Sequence, residues 1–86
     1  MRILLHRNVK KRYRKLSASE RRRFKERRDL FLGDPFHPLL NNHQLQGDYQ
    51  GYRSINITGD LRAVYEELDS DTVHFIALGT HTELYE

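Results

Sequence analysis

The stretch YRSINITGDLRAVYEE (residues 52–67) decides the fold, because it contains two strands separated by a turn. Apolar and polar side chains alternate over residues 52–57, and residues 61–67 are rich in β-forming side chains. The intervening Thr-Gly-Asp has the composition of a turn. The pattern predicts an antiparallel hairpin, and a third apolar run at residues 73–78 predicts a neighbouring strand.

The length of this turn decides which side chains share a face of the sheet. A two-residue turn pairs Ile57 with Arg62 and places the arginine among apolar side chains. A three-residue turn pairs Ile57 with Leu61 and Asn56 with Arg62, which moves the arginine to the opposite, open face. Because burying an unpaired guanidinium costs on the order of several kcal/mol, we predict the three-residue turn. The open face of the sheet should then be polar and cationic.

The residues before the hairpin predict a short strand and two helices. Residues 2–6 could form the strand. A capping-box spacing at residues 17–20 starts the longer helix, which should run to about Leu32 and close with Gly33 in the left-handed conformation. The shorter helix precedes it and carries an apolar stripe at the helical repeat, made of Val9, Tyr13 and Leu16.

The fold class predicted from these elements is α+β. Residues 34–47 contain two prolines and no hydrophobic period, which indicates a loop between the helices and the sheet. A chain of 86 residues has room for one core, so we predict a single domain over residues 1–86. In this domain the two N-terminal helices pack on one face of a small antiparallel sheet.

Charge is distributed very unevenly along the chain. Residues 1–28 contain 13 of the 15 Lys and Arg side chains and two acids, a formal charge of +11, whereas residues 29–86 carry −8. A basic half of this density indicates contact with nucleic acid; the alternative is a solvated helical surface balanced by the acidic half. The candidate RNA-binding side chains are Asn56 on the sheet and, on the helices, Lys10, Lys11, Arg14, Arg21, Arg22 and Lys25.

The composition argues against several classes of protein. The chain has no cysteine, which excludes a disulfide framework and a thiolate zinc site. No apolar stretch approaches the length of a membrane span, and residues 1–16 are too charged for a signal peptide. We therefore expect a cytoplasmic protein with no membrane partner.

Five polar side chains in the C-terminal half are the candidate catalytic residues. A histidine can give or take a proton near neutral pH, and an arginine can bind a phosphate through two parallel hydrogen bonds. RNA cleavage without a metal needs a base for the ribose 2′-hydroxyl, a cation for the phosphate and an acid for the leaving 5′-oxygen. The residues that could converge on the open face near Asn56 are His43, Asp60, Arg62, His81 and Tyr85.

Each of these residues also has a structural interpretation. Asp60 can orient a histidine, but beside Gly59 it is equally a turn residue. His81 could hydrogen-bond a turn, and Tyr85 could anchor the C-terminus on the core. Arg53 alternates in step with the apolar Ile55 and Ile57, so its side chain should lie on the same face of the strand. We therefore expect it to form a structural ion pair with an acid.

The chain resembles the bacterial type II toxins of the RelE/ParE superfamily, close to the YafQ-like mRNA interferases. The likeness is carried by the ordered motifs DPFHPLLNNH (residues 34–43), GYRSIN (51–56), GDLRAVY (59–65) and GTHTELY (79–85). With the basic helices it covers almost the whole chain. The resemblance implies two N-terminal helices on an antiparallel sheet, cleavage of mRNA in the ribosomal A site without a metal, and inhibition by a cognate antitoxin.

The resemblance also implies roles for individual residues. By position, His43, Asp60, His81 and Tyr85 match site residues of YafQ-like toxins, whereas Arg62 is similar to an arginine of the RelE branch. The chain departs from the YafQ-like pattern at three positions. It has Asn56 in place of a second strand histidine, Ala77 in place of an arginine, and Leu61 in place of an aromatic residue. Activity could therefore be weaker or differently organised, with Arg62 replacing the lost cation.

Our leading hypothesis is a ribosome-dependent endoribonuclease in which His43 and His81 are the acid and base, in either order. The expected partners are mRNA on the ribosome, with rRNA contacted by the basic helices, and an acidic antitoxin. A site formed by His37, His43 and His81 lacks metal-ligand spacing on a rigid element, so neither a metal nor another cofactor is expected. The alternatives are a non-cleaving toxin of the ParE type that inhibits DNA gyrase, and a catalytically weakened RNA-binding or ribosome-binding module.

Overall fold

The computed structural model describes residues 1–85. The helices are α1 (Arg7–Arg14), α2 (Ala18–Gly33) and α3 (His81–Tyr85), and the strands are β1 (Arg2–Leu5), β2 (His43–Gln44), β3 (Arg53–Asn56), β4 (Leu61–Asp69) and β5 (Thr72–Thr80). Within these residues no helix has both the length and the apolar character needed to cross a membrane.

The strands form one five-stranded sheet in the order β1-β5-β4-β3-β2. The pairs β2–β3, β3–β4 and β4–β5 are antiparallel, whereas β1 pairs with β5 in parallel. The predicted α+β class is confirmed, but the sheet is mixed rather than purely antiparallel. The cause is the edge position of β1, since the helices and three strands separate it from β5 in the sequence.

The turn between β3 and β4 has three residues, as predicted. Asn56 lies opposite Arg62, and the Ile57 N–H donates to the Leu61 carbonyl oxygen at 2.8 Å. The side chains that this register turns toward the helices are all 2% exposed or less: Ile55, Ile57, Leu61, Ala63 and Tyr65. The opposite face is therefore the open face, and Arg62 lies on it.

The core lies between the two N-terminal helices and the helix-facing side of the sheet. Phe31 of α2 is 1% exposed, and its ring lies 5.0 Å from that of Tyr65 and 5.7 Å from that of Phe75. Val9 and Phe24 are also buried in this core, and Tyr13 and Leu30 pack against it. Truncating a buried phenylalanine of this kind to alanine costs about 3–5 kcal/mol, so the core supports a rigid open face.

Helix α2 begins as predicted and ends within one residue of the predicted position, but without the left-handed glycine. Ser17 accepts a hydrogen bond from the Glu20 N–H, and the Glu20 carboxylate accepts one from the Ser17 N–H, which completes the capping box. Gly33 does not take the left-handed conformation predicted for it and is the last helical residue. The helix ends because Pro35 pushes the preceding Asp34 into an extended conformation, with φ of −153°.

The segment predicted as a loop, residues 34–47, is more ordered than its sequence indicates. Pro38–Leu40 form a 3₁₀ turn, and β2 adds a fifth strand to the sheet beside β3. A strand of two residues is too short to produce a hydrophobic period, which is why the sequence does not reveal it.

Candidate active site

The register of the sheet places two of the predicted site residues on one face. His43 of β2 lies directly opposite Ser54 of β3, and Asn56, two residues further along β3, lies opposite Arg62 of β4. Residues opposite one another in an antiparallel pair project to the same side of the sheet. His43 and Arg62 therefore share the open face, separated by one strand.

The segment before His43 is tied to the core. Asn42 donates from Nδ2 to the Pro35 carbonyl oxygen and to the Tyr65 hydroxyl, both at 2.9 Å, and its Oδ1 accepts from Arg53 Nε at 2.7 Å. These bonds fix the backbone from which the His43 side chain projects. The imidazole is thus presented from a short strand with a well-defined position.

The hydrogen bond of the His43 ring selects its tautomer. Nδ1 lies 2.7 Å from the Asn41 carbonyl oxygen, which can only accept, so Nδ1 carries the hydrogen in the neutral ring. Nε2 then has a free lone pair, and the side chain is exposed. A neutral imidazole in this state can act as a general base.

Helix α3 places His81 and Tyr85 above the end of the sheet. Thr80 caps the helix: its hydroxyl accepts from the Glu83 N–H at 3.2 Å, and its N–H donates to Glu83 Oε1 at 2.8 Å. A Cβ atom on Gly79 would lie 3.3 Å from the Leu84 side chain, so the glycine lets the helix approach β5 closely. The Thr-x-x-Glu spacing is a helix start that the sequence contains, although α3 was not among the predicted elements.

Glu83 also joins α3 to the basic helix α1. Its Oε1 lies 2.8 Å from Nη2 of Arg12. This ion pair joins two residues that are far apart in the sequence. The hydrogen bonds from Thr80, above all from its backbone N–H, hold the pKa of Glu83 below its usual value, and Arg12 adds to this effect. Arg12 is a contributor to the site that the sequence analysis did not identify.

His81, Tyr85 and Ser54 are connected by two successive contacts. The two rings meet nearly edge to face, with centroids 4.8 Å apart. The Tyr85 hydroxyl donates to Ser54 Oγ at 3.1 Å, and Ser54 is itself the residue opposite His43. The structure therefore links His81 through Tyr85 to the buried Ser54, which lies opposite His43 and which the sequence analysis did not single out.

Arg62 extends this group along the open face. Its Nη1 donates to the Thr58 carbonyl oxygen at 3.0 Å, which holds the half-buried side chain against the hairpin turn. Within residues 1–85 no other nitrogen of the guanidinium is hydrogen-bonded, so Nε and Nη2 can bind an anion. Opposite it, the buried Oδ1 of Asn56 has no hydrogen-bond partner in the same part of the chain. A guanidinium donor thus lies opposite a buried carbonyl oxygen that has no hydrogen-bond partner among these residues.

Asp60 lies at the exposed tip of the hairpin and contacts α3 through its backbone. Its carbonyl oxygen accepts from the His81 N–H at 3.2 Å, and its own N–H is directed at Thr58 Oγ1 at 3.3 Å. Among the described residues its carboxylate makes no ion pair or hydrogen bond. The structure therefore brings Asp60 next to His81, with the side chain free.

The candidate RNA-binding residues of the helices are largely solvent-exposed. The exception is Arg21, which is half-buried and donates to the Leu16 carbonyl oxygen. This bond fixes the junction between α1 and α2, so Arg21 has a structural role that its sequence position did not indicate. The exposed members of this basic surface are Lys10, Lys11, Arg14, Arg22 and Lys25.

The prediction that Arg53 forms an ion pair with an acid is wrong. Its guanidinium donates to Asn42 and lies 5.2 Å from the centre of the Phe36 ring. Arg53 is at the beginning of β3, where the incoming loop supplies an amide and an aromatic ring. The Nδ1 atom of His37 accepts from the Leu39 N–H in that same loop, which gives this histidine a capping function.

The site as a whole is suited to proton transfer at a phosphate ester. Two imidazoles are the potential base and acid, a guanidinium can bind the phosphate, and a phenol lies between them. A five-stranded sheet with helices on one face and such a cluster on the other is the arrangement expected from the resemblance to the RelE/ParE superfamily.

Comparisons with known proteins identify the family. The family model described as a bacterial toxin of type II toxin–antitoxin systems, YafQ, matches residues 1–86. The chain therefore belongs to the YafQ family of type II toxins. No curated protein matches the chain.

Solved structures of other toxins share the fold. The YoeB/ParE toxin from Agrobacterium tumefaciens is 22% identical with a TM-score of 0.78, covering 94% of this chain and 99% of its own. YafQ in the E. coli DinJ–YafQ complex is 22% identical with a TM-score of 0.73, and both chains are covered completely. The archaeal RelE–RelB complex from Pyrococcus horikoshii gives 24% identity and a TM-score of 0.73, with 92% of each chain covered.

Proposed function

We propose that this toxin is a ribosome-dependent endoribonuclease that cleaves mRNA in the A site without a metal. The observation that supports this most directly is the grouping of His43, Arg62, His81 and Tyr85 on one open face. A base, a phosphate-binding cation and an acid are the groups that attack by a ribose 2′-hydroxyl requires. Membership of the YafQ toxin family is a second, independent support.

His43 is the general base in this proposal. Nε2 takes the proton of the 2′-hydroxyl, and the 2′-oxygen forms a bond to the adjacent phosphorus. The hydrogen bond from Nδ1 to the Asn41 carbonyl oxygen then stabilises the imidazolium that results. Asn56 lies opposite Arg62 on the same face and is the candidate RNA-binding residue of the sheet.

His81 is the general acid. As the bond from phosphorus to the 5′-oxygen breaks, protonated His81 gives its proton to that oxygen, which leaves a 2′,3′-cyclic phosphate and a free 5′-hydroxyl. Arg62 binds the negatively charged phosphate, Asp60 supports His81 at the hairpin tip, and Tyr85 stacks on a base or positions the phosphate. Acid–base catalysis by each side chain typically contributes about 10²–10⁴-fold in rate.

The proposed partners follow from charge and from the relatives. The basic surface of α1 and α2 contacts rRNA, with the +11 of residues 1–28 as the attractive term. An acidic antitoxin forms a hetero-oligomer with the toxin and neutralises this charge, as the DinJ–YafQ and RelE–RelB complexes suggest. Such a system would operate in the cytoplasm.

The experiment that tests the proposal is mapping of RNA 5′ ends on ribosomes after expression of the toxin. The parent protein should produce codon-registered breaks with 5′-hydroxyl ends, and His81→Ala and Arg62→Ala variants should lose them. His74→Gln is the matched control, because this β5 histidine lies opposite Glu66, four residues along β4 from Arg62. Intact messages with a DNA-damage response would indicate gyrase inhibition instead, and salt-sensitive ribosome binding without breaks would indicate a non-catalytic module.

A further inference from the structure

A row of aromatic rings continues from the candidate active site across the open face. Tyr85 lies 6.1 Å from Tyr49, and Tyr49 lies 6.2 Å from Tyr52, measured between ring centroids. With the contact between Tyr85 and His81 the row contains four rings. The interplanar angles of 90°, 71° and 66° make all three contacts edge-to-face rather than parallel stacks.

The loop that carries Tyr49 and Tyr52 is built to hold both rings in place. The Tyr52 N–H donates to the Tyr49 carbonyl oxygen at 3.0 Å, and the Tyr52 carbonyl oxygen accepts from the Leu45 N–H at 3.0 Å. Gly47 and Gly51 flank this turn with φ values of +67° and +95°, which residues with side chains rarely adopt. Both tyrosines are half-buried, so part of each side chain is accessible to solvent.

We propose that Tyr49 and Tyr52 form a base-stacking platform for single-stranded RNA next to the cleaved phosphodiester. This rests on the proposed function, because the platform is useful only if RNA occupies the adjoining site. Aromatic side chains bind successive bases of single strands through their π-faces, and this binding tolerates any sequence. The row begins at the two proposed catalytic rings, His81 and Tyr85. Its outer rings, Tyr49 and Tyr52, could therefore stack on the bases next to the nucleotide that is cleaved.

The charges around the row favour RNA bases at this surface and limit its length. Arg62 lies at the catalytic end, where a phosphate would be bound. At the other end, the hydrogen bond with the Glu66 carboxylate raises the pKa of Tyr52 and places a negative charge beside the last ring. Since a carboxylate repels the phosphate backbone, the platform ends at Tyr52 and accommodates only a short segment.

The test is direct binding of a short 2′-O-methyl RNA oligonucleotide, which cannot be cleaved, to the purified toxin by NMR titration at low salt. Tyr49→Leu and Tyr52→Leu remove the π-face while retaining apolar volume, and each should weaken binding by about 5- to 100-fold. Tyr49→Phe and Tyr52→Phe retain the ring and should bind within about twofold of the parent protein. Phe36→Leu is the control, because it removes an exposed ring that lies over Arg53. Arg53 projects to the helix-facing side of the sheet, away from the row, so this variant should leave binding unchanged.

The outcomes separate this inference from the proposed function. If the Leu variants bind the oligonucleotide more weakly than the parent protein but the parent protein cuts no message on ribosomes, the nuclease proposal fails and the platform stands. If the folded Leu variants bind as tightly as the parent protein, or the parent protein does not bind, the platform is wrong. Unchanged RNA binding combined with weakened binding of the antitoxin would also overturn it, and would assign these tyrosines to a protein interface.

Discussion

At the scale of single residues, the orientation of His43 depends on Asn41. Asn41 has a φ of +46°, and its carbonyl oxygen accepts from Nδ1 of His43. Asparagine tolerates this left-handed conformation better than most residues, whereas a β-branched side chain is strained in it. One backbone conformation therefore determines both the position of the imidazole and its tautomer.

We predict that Asn41→Val reduces both stability and cleavage, while Asn41→Gly preserves both. Valine at a positive φ costs about 1–2 kcal/mol and moves the carbonyl oxygen away from Nδ1, whereas glycine retains the conformation. Chemical denaturation measures the first effect, and mapping of RNA ends measures the second. An Asn41→Val protein with unchanged cleavage would show that the Asn41 carbonyl oxygen does not orient the base.

The sequence was most informative about residues whose position follows from strand register. Arg62 and Asn56 lie on the open face because a one-residue shift would have buried a guanidinium, an argument that needs only alternation and charge. The partners of Arg53 and the capping bond of His37 could not be obtained in this way. Both come from the loop after α2, whose path is determined by tertiary contacts.

At the scale of secondary-structure elements, α3 is a five-residue helix that depends on its contacts. Isolated helices of this length are unstable in water, so the capping box of Thr80 and Glu83 and the ion pair with Arg12 have to hold it. The two proposed catalytic rings on α3 are therefore only as well positioned as these bonds allow. This makes Glu83 a positioning residue.

Breaking the cap of α3 should affect cleavage more than stability. Thr80→Ala removes the hydroxyl that accepts from the Glu83 N–H, which loosens a short peripheral helix but not the core. Ser17→Ala is the matched control, because it removes the same type of cap from α2 and should cost about 1 kcal/mol of stability without altering cleavage per folded molecule. Thermal unfolding and initial cleavage rates measure the two effects. Equal losses of rate in the two variants would contradict the role assigned to α3.

The attachment of α3 should also weaken in acid. In the folded protein the pKa of Glu83 lies below the usual glutamate value of 4.5, chiefly because the Thr80 N–H donates to the carboxylate. A lowered folded-state pKa means that this stabilisation is present above the unfolded-state pKa and is lost as the pH falls through the folded-state value. NMR signals of the Tyr85 ring should therefore shift in that acidic range. In Glu83→Gln, which cannot titrate, this acid transition should be absent; if it persists, another group is responsible.

Sequence periodicity identified the long elements and missed the short ones. Helix α2 and strands β3 to β5 carry several turns or alternations each, so their patterns rise above chance. Strand β2 has two residues and α3 has five, and each exists because a neighbouring strand or cap supports it. The capping box of α3 was present in the sequence as Thr-x-x-Glu, whereas β2 left no comparable signal.

At the scale of the whole molecule, the basic surface and the open face lie on different sides of the sheet. The helices that carry the charge pack on the face opposite to His43 and Arg62, and Arg12 connects α1 to α3. In the proposed function, catalytic positioning and electrostatic attraction are therefore supplied by different residues. The charge division was evident from the sequence, but the parallel pairing of β1 with β5 was not, because a single edge strand has no adjacent partner in the chain.

Neutralising the basic surface should weaken ribosome binding and reduce its dependence on salt. Each cationic side chain that contacts a phosphate displaces counterions, so removing one such contact lowers the slope of log affinity against log salt by about 0.7–0.9. The variant Lys10→Gln, Lys11→Gln, Arg14→Gln should therefore bind ribosomes less tightly at low salt and with a shallower slope. Arg2→Gln removes a charge at the start of β1, outside this surface, and is the control. Sedimentation with ribosomes over a range of salt concentrations gives the slopes, and an unchanged slope in the triple variant would show that the charge on α1 is a solvated surface that does not contact rRNA.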